Sequence, residues 1–142
     1  MTTEFPDPRH NPDLLAHHAA EQVLLDAWNS GRLPHAWLIG GIPGIGKATL
    51  AFRFARFVLS QGDESTAELF GDPPPATSLY VAPTHPVFNR VASSGHADLL
   101  TIERPFDDKK GRLKTDIPVD QVRRIAPFLR LTDPGATVAG HP

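Results

Sequence analysis

Trp37-Leu38-Ile39-Gly40-Gly41-Ile42-Pro43-Gly44-Ile45-Gly46-Lys47-Ala48-Thr49-Leu50 sets the frame for the rest of the chain. An apolar run after Pro34 enters a stretch with glycines at 40, 41, 44 and 46, and residues 50–59 then carry apolar side chains at helical spacing. Strand, tight glycine loop and helix, in that order, are the context in which Gly41-x-x-x-x-Gly46-Lys47 reads as a phosphate-binding loop. Each part has a physical reason. Glycine reaches backbone angles closed to other residues, so successive N–H groups can converge on phosphate oxygens. The following helix presents unpaired N–H donors and the positive end of its dipole to the same anion. Lys47 supplies a mobile point charge for the outer phosphates. The candidate site is therefore Gly41, Ile42, Pro43, Gly44, Ile45, Gly46, Lys47, Ala48 and Thr49. The plainer alternative is an ordinary strand-to-helix turn with a solvated lysine.

One position departs from the pattern. The residue after the lysine normally carries a hydroxyl that binds magnesium, and here it is Ala48. Thr49 follows, but one step along a helix rotates a side chain by about 100°. It does not substitute for the missing ligand. The loop is equipped to hold a nucleotide and poorly equipped to place the metal for hydrolysis.

Composition narrows the remaining classes. With 142 residues the chain is about one domain long. A net charge of −2 gives no global field toward nucleic acid or an acidic membrane. The absence of cysteine excludes disulfides, thiolate zinc sites and cysteine nucleophiles. No run of apolar residues is long enough for a membrane span, and the first dozen residues lack the apolar core of a secretory signal. A cytoplasmic location and no membrane partner are expected.

Along the chain, residues 1–11 read as a flexible arm. An amphipathic helix is expected from Pro12 to about Gly31, with Leu14, Leu15, Ala19, Val23, Leu24 and Ala27 on one face. Residues 35–39 read as a strand buried on both faces. The loop and its helix follow, with Gly62 as a stop signal. Residues 67–70 suggest a short helical turn, and Pro73, Pro74 and Pro75 must be extended. Pro86 to Ala92 suggests a further helix with Val87, Phe88 and Val91 inward, and residues 98–102 a second strand. Residues 103–116 form a charged loop or hairpin. A last helix places Val119, Val122, Ile125, Ala126 and Leu129 on one face, kinked or shortened by Pro127. The basic residues from Lys109 to Lys114 alternate with acidic ones and lack interleaved aromatics, which favours a solvated loop over a DNA-binding surface. His17 and His18 diverge on a helix and have no second ligand at i+4, so they read as surface or structural groups.

With these elements placed, the residues resemble a known family. Asn11-Pro12, then Gly31-Arg32-Leu33-Pro34-His35-Ala36-Trp37-Leu38 and the loop from Gly41 to Lys47, look like the start of a bacterial clamp-loader subunit. Ser94-Gly95-His96-Ala97-Asp98-Leu99-Leu100 and Ile117-Pro118-Val119-Asp120-Gln121-Val122-Arg123 support the same family. The likeness covers about residues 11–131. It implies an α/β fold of the P-loop NTPase (AAA+) type, a three-layer sandwich with an incomplete parallel sheet. The domain would be a partial AAA+ nucleotide-binding domain over 12–131, followed by a truncated tail over 132–142.

The resemblance also implies ATP as cofactor, weakly held or not held at all as the alternative, with magnesium arriving only with the nucleotide. Gly41, Gly44, Gly46 and Lys47 would cradle phosphates, and the segment from Leu14 to His18 would lie near the adenine site. Partners would be the other clamp-loader subunits in a hetero-oligomeric ring and, through that ring, the sliding clamp and primed DNA. The role in replication would be assembly rather than catalysis. Many relatives carry a four-cysteine zinc module after the loop helix; this chain has none, so no zinc is expected. The sequence ends where relatives enter the strand bearing the acidic magnesium residues. The expectation is thus an amino-terminal fragment, marginal alone, with no catalytic or metal-binding residues of its own. An active P-loop ATPase or kinase, and a vestigial inactive fragment, are the alternative functions.

Overall fold

A computed structural model describes residues 6–62 and 74–131. Contacts divide the chain into two compact units, Met1–His96 and Ala97–Pro142. The turn expected at 67–70, Pro73 and the tail from 132 lie outside the described residues.

The first unit holds every buried hydrophobic side chain among the described residues. Helix α1 spans His18–Asn29, α2 spans Lys47–Gly62 and α3 spans Pro86–Ala92. Helix α1 starts six residues later than the periodicity suggests. Ala16 stands at φ 63°, a left-handed turn that breaks a helical path from Pro12. Its buried residues are Leu24 and Leu25, whereas Val23 faces out. It ends where Ser30 and Gly31 donate to the carbonyls of Asp26 and Trp28, with Gly31 at φ 67°.

Helix α2 buries Thr49, Leu50, Arg53, Arg56, Phe57 and Ser60, one stripe at spacings of three and four. Phe57 meets Trp28 edge to face at 5.4 Å, which joins α2 to α1. Ahead of α3, Leu79 and Val81 are buried in the core while Tyr80 between them is half exposed. Asn29 ties this segment to the end of α1. Its amide donates to the Ala76 carbonyl and its oxygen accepts from the Ala76 N–H, both at 2.9 Å.

Helix α3 matches its sequence signals closely. His85 caps it, with Nδ1 accepting from the Val87 N–H at 3.2 Å, and Pro86 takes the first position, where no N–H is needed. At its end Ser94 donates to Val91 at 3.0 Å and Gly95 to Arg90 at 2.8 Å, the paired bonds of a Schellman cap. The left-handed position in that cap is Ser94, at φ 57°, with glycine one place too late. Ser94→Gly should therefore raise the unfolding free energy by about 0.5–1 kcal/mol, since Ser94 is exposed and loses no packing. Urea denaturation checks this; an unchanged or lower midpoint would contradict it.

The two expected strands do not form ladders among the described residues. Residues 35–39 run without a hydrogen-bonded neighbour, Leu38 is 99 % exposed, and only Ile39 packs partly on the core. Trp37 is held instead by an edge-to-face contact with Phe54 at 6.2 Å. Residues 98–102 likewise form no strand. An apolar run is necessary for a buried strand but not sufficient, because the ladder depends on partners distant in sequence.

In the second unit, β1 (Phe106–Asp107) and β2 (Arg112–Leu113) pair antiparallel, with Phe106 opposite Leu113. The hairpin is set by its turn. Asp107 Oδ1 accepts from the N–H groups of Lys109 and Lys110, and Gly111 closes the loop at φ 60°. The basic residues from Lys109 to Lys114 thus occupy an exposed hairpin. The last expected helix is split into α4 (Val119–Val122) and α5 (Ile125–Leu131). Pro127 explains the break: in a continuous helix its ring would strike the carbonyl four residues earlier. Beginning α5 at Ile125 puts Pro127 in a first turn, where its missing N–H leaves nothing unpaired. Val119, Val122, Ile125 and Leu129 remain exposed, because neither short helix buries a residue.

Candidate nucleotide-binding loop

Glycine conformations shape the loop. Gly41, Gly44 and Gly46 take φ of 153°, 80° and 102°. At Gly41 the requirement is also one of space: a Cβ there would lie 3.3 Å from Ile45 Cγ2 and 3.7 Å from Lys47 Cδ. The bare backbone lets the Lys47 stem fold back along the loop. Its ammonium donates to the carbonyls of Gly41 and Ile42, each at 2.7 Å. Lys47 therefore closes the segment it follows into a ring, with its charge at the loop.

Helix α2 begins at the lysine. Its first intrahelical bond runs from the Leu50 N–H to the Gly46 carbonyl at 2.9 Å, so the N–H groups of Lys47, Ala48 and Thr49 have no helical acceptor. Gly41, Ile42, Pro43, Gly44 and Ile45 are exposed, and Gly46 and Lys47 half-buried. Ala48 faces out and offers no oxygen. Thr49 lies on the buried stripe beside Leu50, with 8 % of its surface exposed. The structure thus sets the Lys47 ammonium and the first-turn amides of α2 beside the glycine loop, while the Thr49 side chain turns into the core.

Two groups beside the loop escape sequence reasoning. His17, read as surface or structural, donates from Nε2 to the Ile45 carbonyl at 2.6 Å. A Cβ on Gly46 would sit 3.5 Å from Leu14 Cδ1 and 3.6 Å from that imidazole nitrogen. The segment leading into α1 therefore packs on the loop. The second group is the pair of arginines on the inner face of α2. Arg56, 1 % exposed, donates to the carbonyls of Arg9 (3.1 Å) and Asn11 (2.7 Å) and stacks over Phe88 at 4.6 Å. Arg53 bonds the Glu21 carboxylate and the Pro12 carbonyl and lies 5.6 Å from the Tyr80 ring. A signal was present: Arg53 and Arg56 fall on the stripe through Leu50, Phe57 and Ser60.

Burial, and after it the neighbouring Arg53 charge, lowers the Arg56 guanidinium to about 10. The folded value lies below the unfolded one, so stability from this group rises with pH only above about 10. Through the neutral range Arg56 stays charged in both states and adds no pH dependence.

Among the described residues no three His, Asp or Glu side chains gather as a metal site, and no helix is long and apolar enough to cross a membrane. Comparison with known proteins returned no match to any family model, curated protein or solved structure.

Proposed function

We propose that the chain is a nucleotide-binding protein of the P-loop class that holds a triphosphate without splitting it. Within that class it resembles the clamp-loader subunits of bacterial replication, and the delta prime subunit of DNA polymerase III is the particular protein whose role we assign to it. The observation that carries the phosphate reading is the Lys47 ammonium folded over Gly41 and Ile42, at the head of a helix with unpaired amides. Those carbonyls are exchangeable acceptors. An arriving phosphate oxygen offers the ammonium a charged partner in their place, a stronger hydrogen bond than a neutral carbonyl makes. Gly41, Gly44 and Gly46 permit the turn, and the amides of residues 46–49 add donors.

Magnesium entering with the nucleotide would screen the phosphate charge. Ala48 offers it no ligand, and Thr49 is committed to the core. That imbalance supports binding as a structural signal over turnover. The DNA polymerase III reading makes the chain a stationary member of a hetero-oligomeric ring, with the sliding clamp and primed DNA reached through its partners. The reading is tested by mixing the purified chain with the other clamp-loader subunits and following co-elution and ATP turnover. Co-elution with turnover from this chain alone below about 1 per second is expected. Failure to associate, or faster magnesium-dependent turnover by the lone chain, would overturn it.

A further inference from the structure

We infer that Arg53, Arg56 and His17 are positioning residues for the glycine loop, acting through residues 9–17 as a strap laid along α2. The inference rests on the phosphate reading for its purpose but not for its geometry. Its starting point is an oddity of the core. Arg56 is among the most buried large side chains, a position where an aliphatic residue would pack at no cost in desolvation. Its fork is directed to backbone carbonyls, those of Arg9 and Asn11, and Arg53 takes the next one, that of Pro12. Bonds to carbonyls fix the path of a chain whatever side chains it carries. Arg9 adds a second hold, its guanidinium 5.4 Å from the Phe52 ring.

The order of contacts gives the strap a direction. Residues 9 and 11 meet Arg56, residue 12 meets Arg53, and residues 14 and 17 meet Gly46 and Ile45. As the strap advances, α2 is read backwards, so the strap runs antiparallel to the helix toward the loop. From residue 56 back to 46 a helix covers about 15 Å. Six residues from 11 to 17 span at most about 20 Å when fully extended. The segment makes this passage with turns at residues 11–13 and at Ala16, so a short piece of chain links the Arg56 end to His17.

At its far end the strap controls a single peptide plane. His17 holds the Ile45 carbonyl, and in a planar trans peptide the N–H of the next residue points the opposite way. That N–H belongs to Gly46, and it makes no hydrogen bond among the described residues. Fixing the carbonyl therefore aims a free donor at the head of α2, away from His17. Without the imidazole, the peptide between Ile45 and Gly46, flanked by a glycine at φ 102°, is free to turn over.

Conformational exchange of the backbone amides, read by relaxation-dispersion nuclear magnetic resonance on the full chain because the amides at 44–46 are unbonded among the described residues, tests this together with pyrophosphate binding by calorimetry. His17→Ala should speed exchange at residues 44–46 about tenfold and weaken pyrophosphate about tenfold, the loss of roughly one hydrogen bond, with amides of residues 52–57 unchanged. His17→Gln, whose amide can donate to the same carbonyl, should restore both. Arg56→Lys should loosen residues 9–12 and residues 44–46 together. Exchange at 44–46 unaltered in His17→Ala, or residues 9–12 released in Arg56→Lys with 44–46 untouched, overturns the inference. If Arg56→Lys does not fold, the two His17 variants decide the matter. Wild-type protein that shows coupled exchange and binds no pyrophosphate would reject the phosphate reading and leave the positioning role standing.

Discussion

Arg56→Ala is expected to cost about 3–5 kcal/mol of folding stability, because it empties a large buried volume and leaves two main-chain acceptors without their donor. Two carbonyls, those of Arg9 and Asn11, lose their donors, the Phe88 ring loses its stacked partner, and a space opens in the stripe between Arg53 and Phe57. Set against the 5–15 kcal/mol that holds a typical domain, that is a large fraction. Arg56→Met separates the contributions, since its stem refills most of the space and only the donors are lost; about 2–3 kcal/mol is expected. Urea unfolding followed by Trp28 fluorescence is a direct readout, since Trp28 packs on Phe57. A loss under about 1 kcal/mol in Arg56→Ala would mean that water satisfies those carbonyls and that the arginine is dispensable to the fold.

Lys47→Ala should have the opposite profile. Among the described residues the ammonium bonds only the carbonyls of Gly41 and Ile42, both on exposed residues that water can serve, so stability should move by no more than about 0.5 kcal/mol. Triphosphate binding should fall about 100-fold, the loss of two charge-assisted hydrogen bonds of roughly 1.5 kcal/mol each. Calorimetry and urea unfolding on the same preparation give both quantities. If binding survives and stability collapses, Lys47 is a structural clasp and the loop an ordinary turn. The contrast between Arg56 and Lys47 separates the residues that build the unit from those that give it a task.

How much of this was legible in the sequence depended on how local the cause was. The tight turn was readable because its requirement lies within seven residues: Gly41, Gly44 and Gly46 take the positive φ that favours glycine. The α3 helix and the hairpin turn at Gly111 were readable for the same reason: cap and turn chemistry is set by immediate neighbours. The ladders expected at 35–39 and 98–102 depend on distant partners, and an apolar run carries no information about them. Leu38, fully exposed, shows how far burial can depart from hydropathy. The break before Ile125 follows from Pro127, but the exposure of Val119 and Leu129 does not, because helical spacing says only that residues share a face. The strap was illegible for a different reason. Bonds from Arg53 and Arg56 to main-chain carbonyls leave no mark on the sequence of residues 9–12, and only the misplaced arginines on an apolar stripe hint at them.

The central claim is that loop amides and Lys47 form an anion site without a metal ligand. Titrating the full chain with ATP in the presence of EDTA, while following backbone amide signals by nuclear magnetic resonance, addresses it most directly. Saturable shifts centred on residues 41–49, with a second set at residues 14–18 that pack on the loop, are predicted, with an affinity little changed when magnesium replaces EDTA. Signals at Gly44, Gly46 and Lys47 that stay fixed up to about 10 mM ATP, beyond the range of meaningful affinity, would contradict the account.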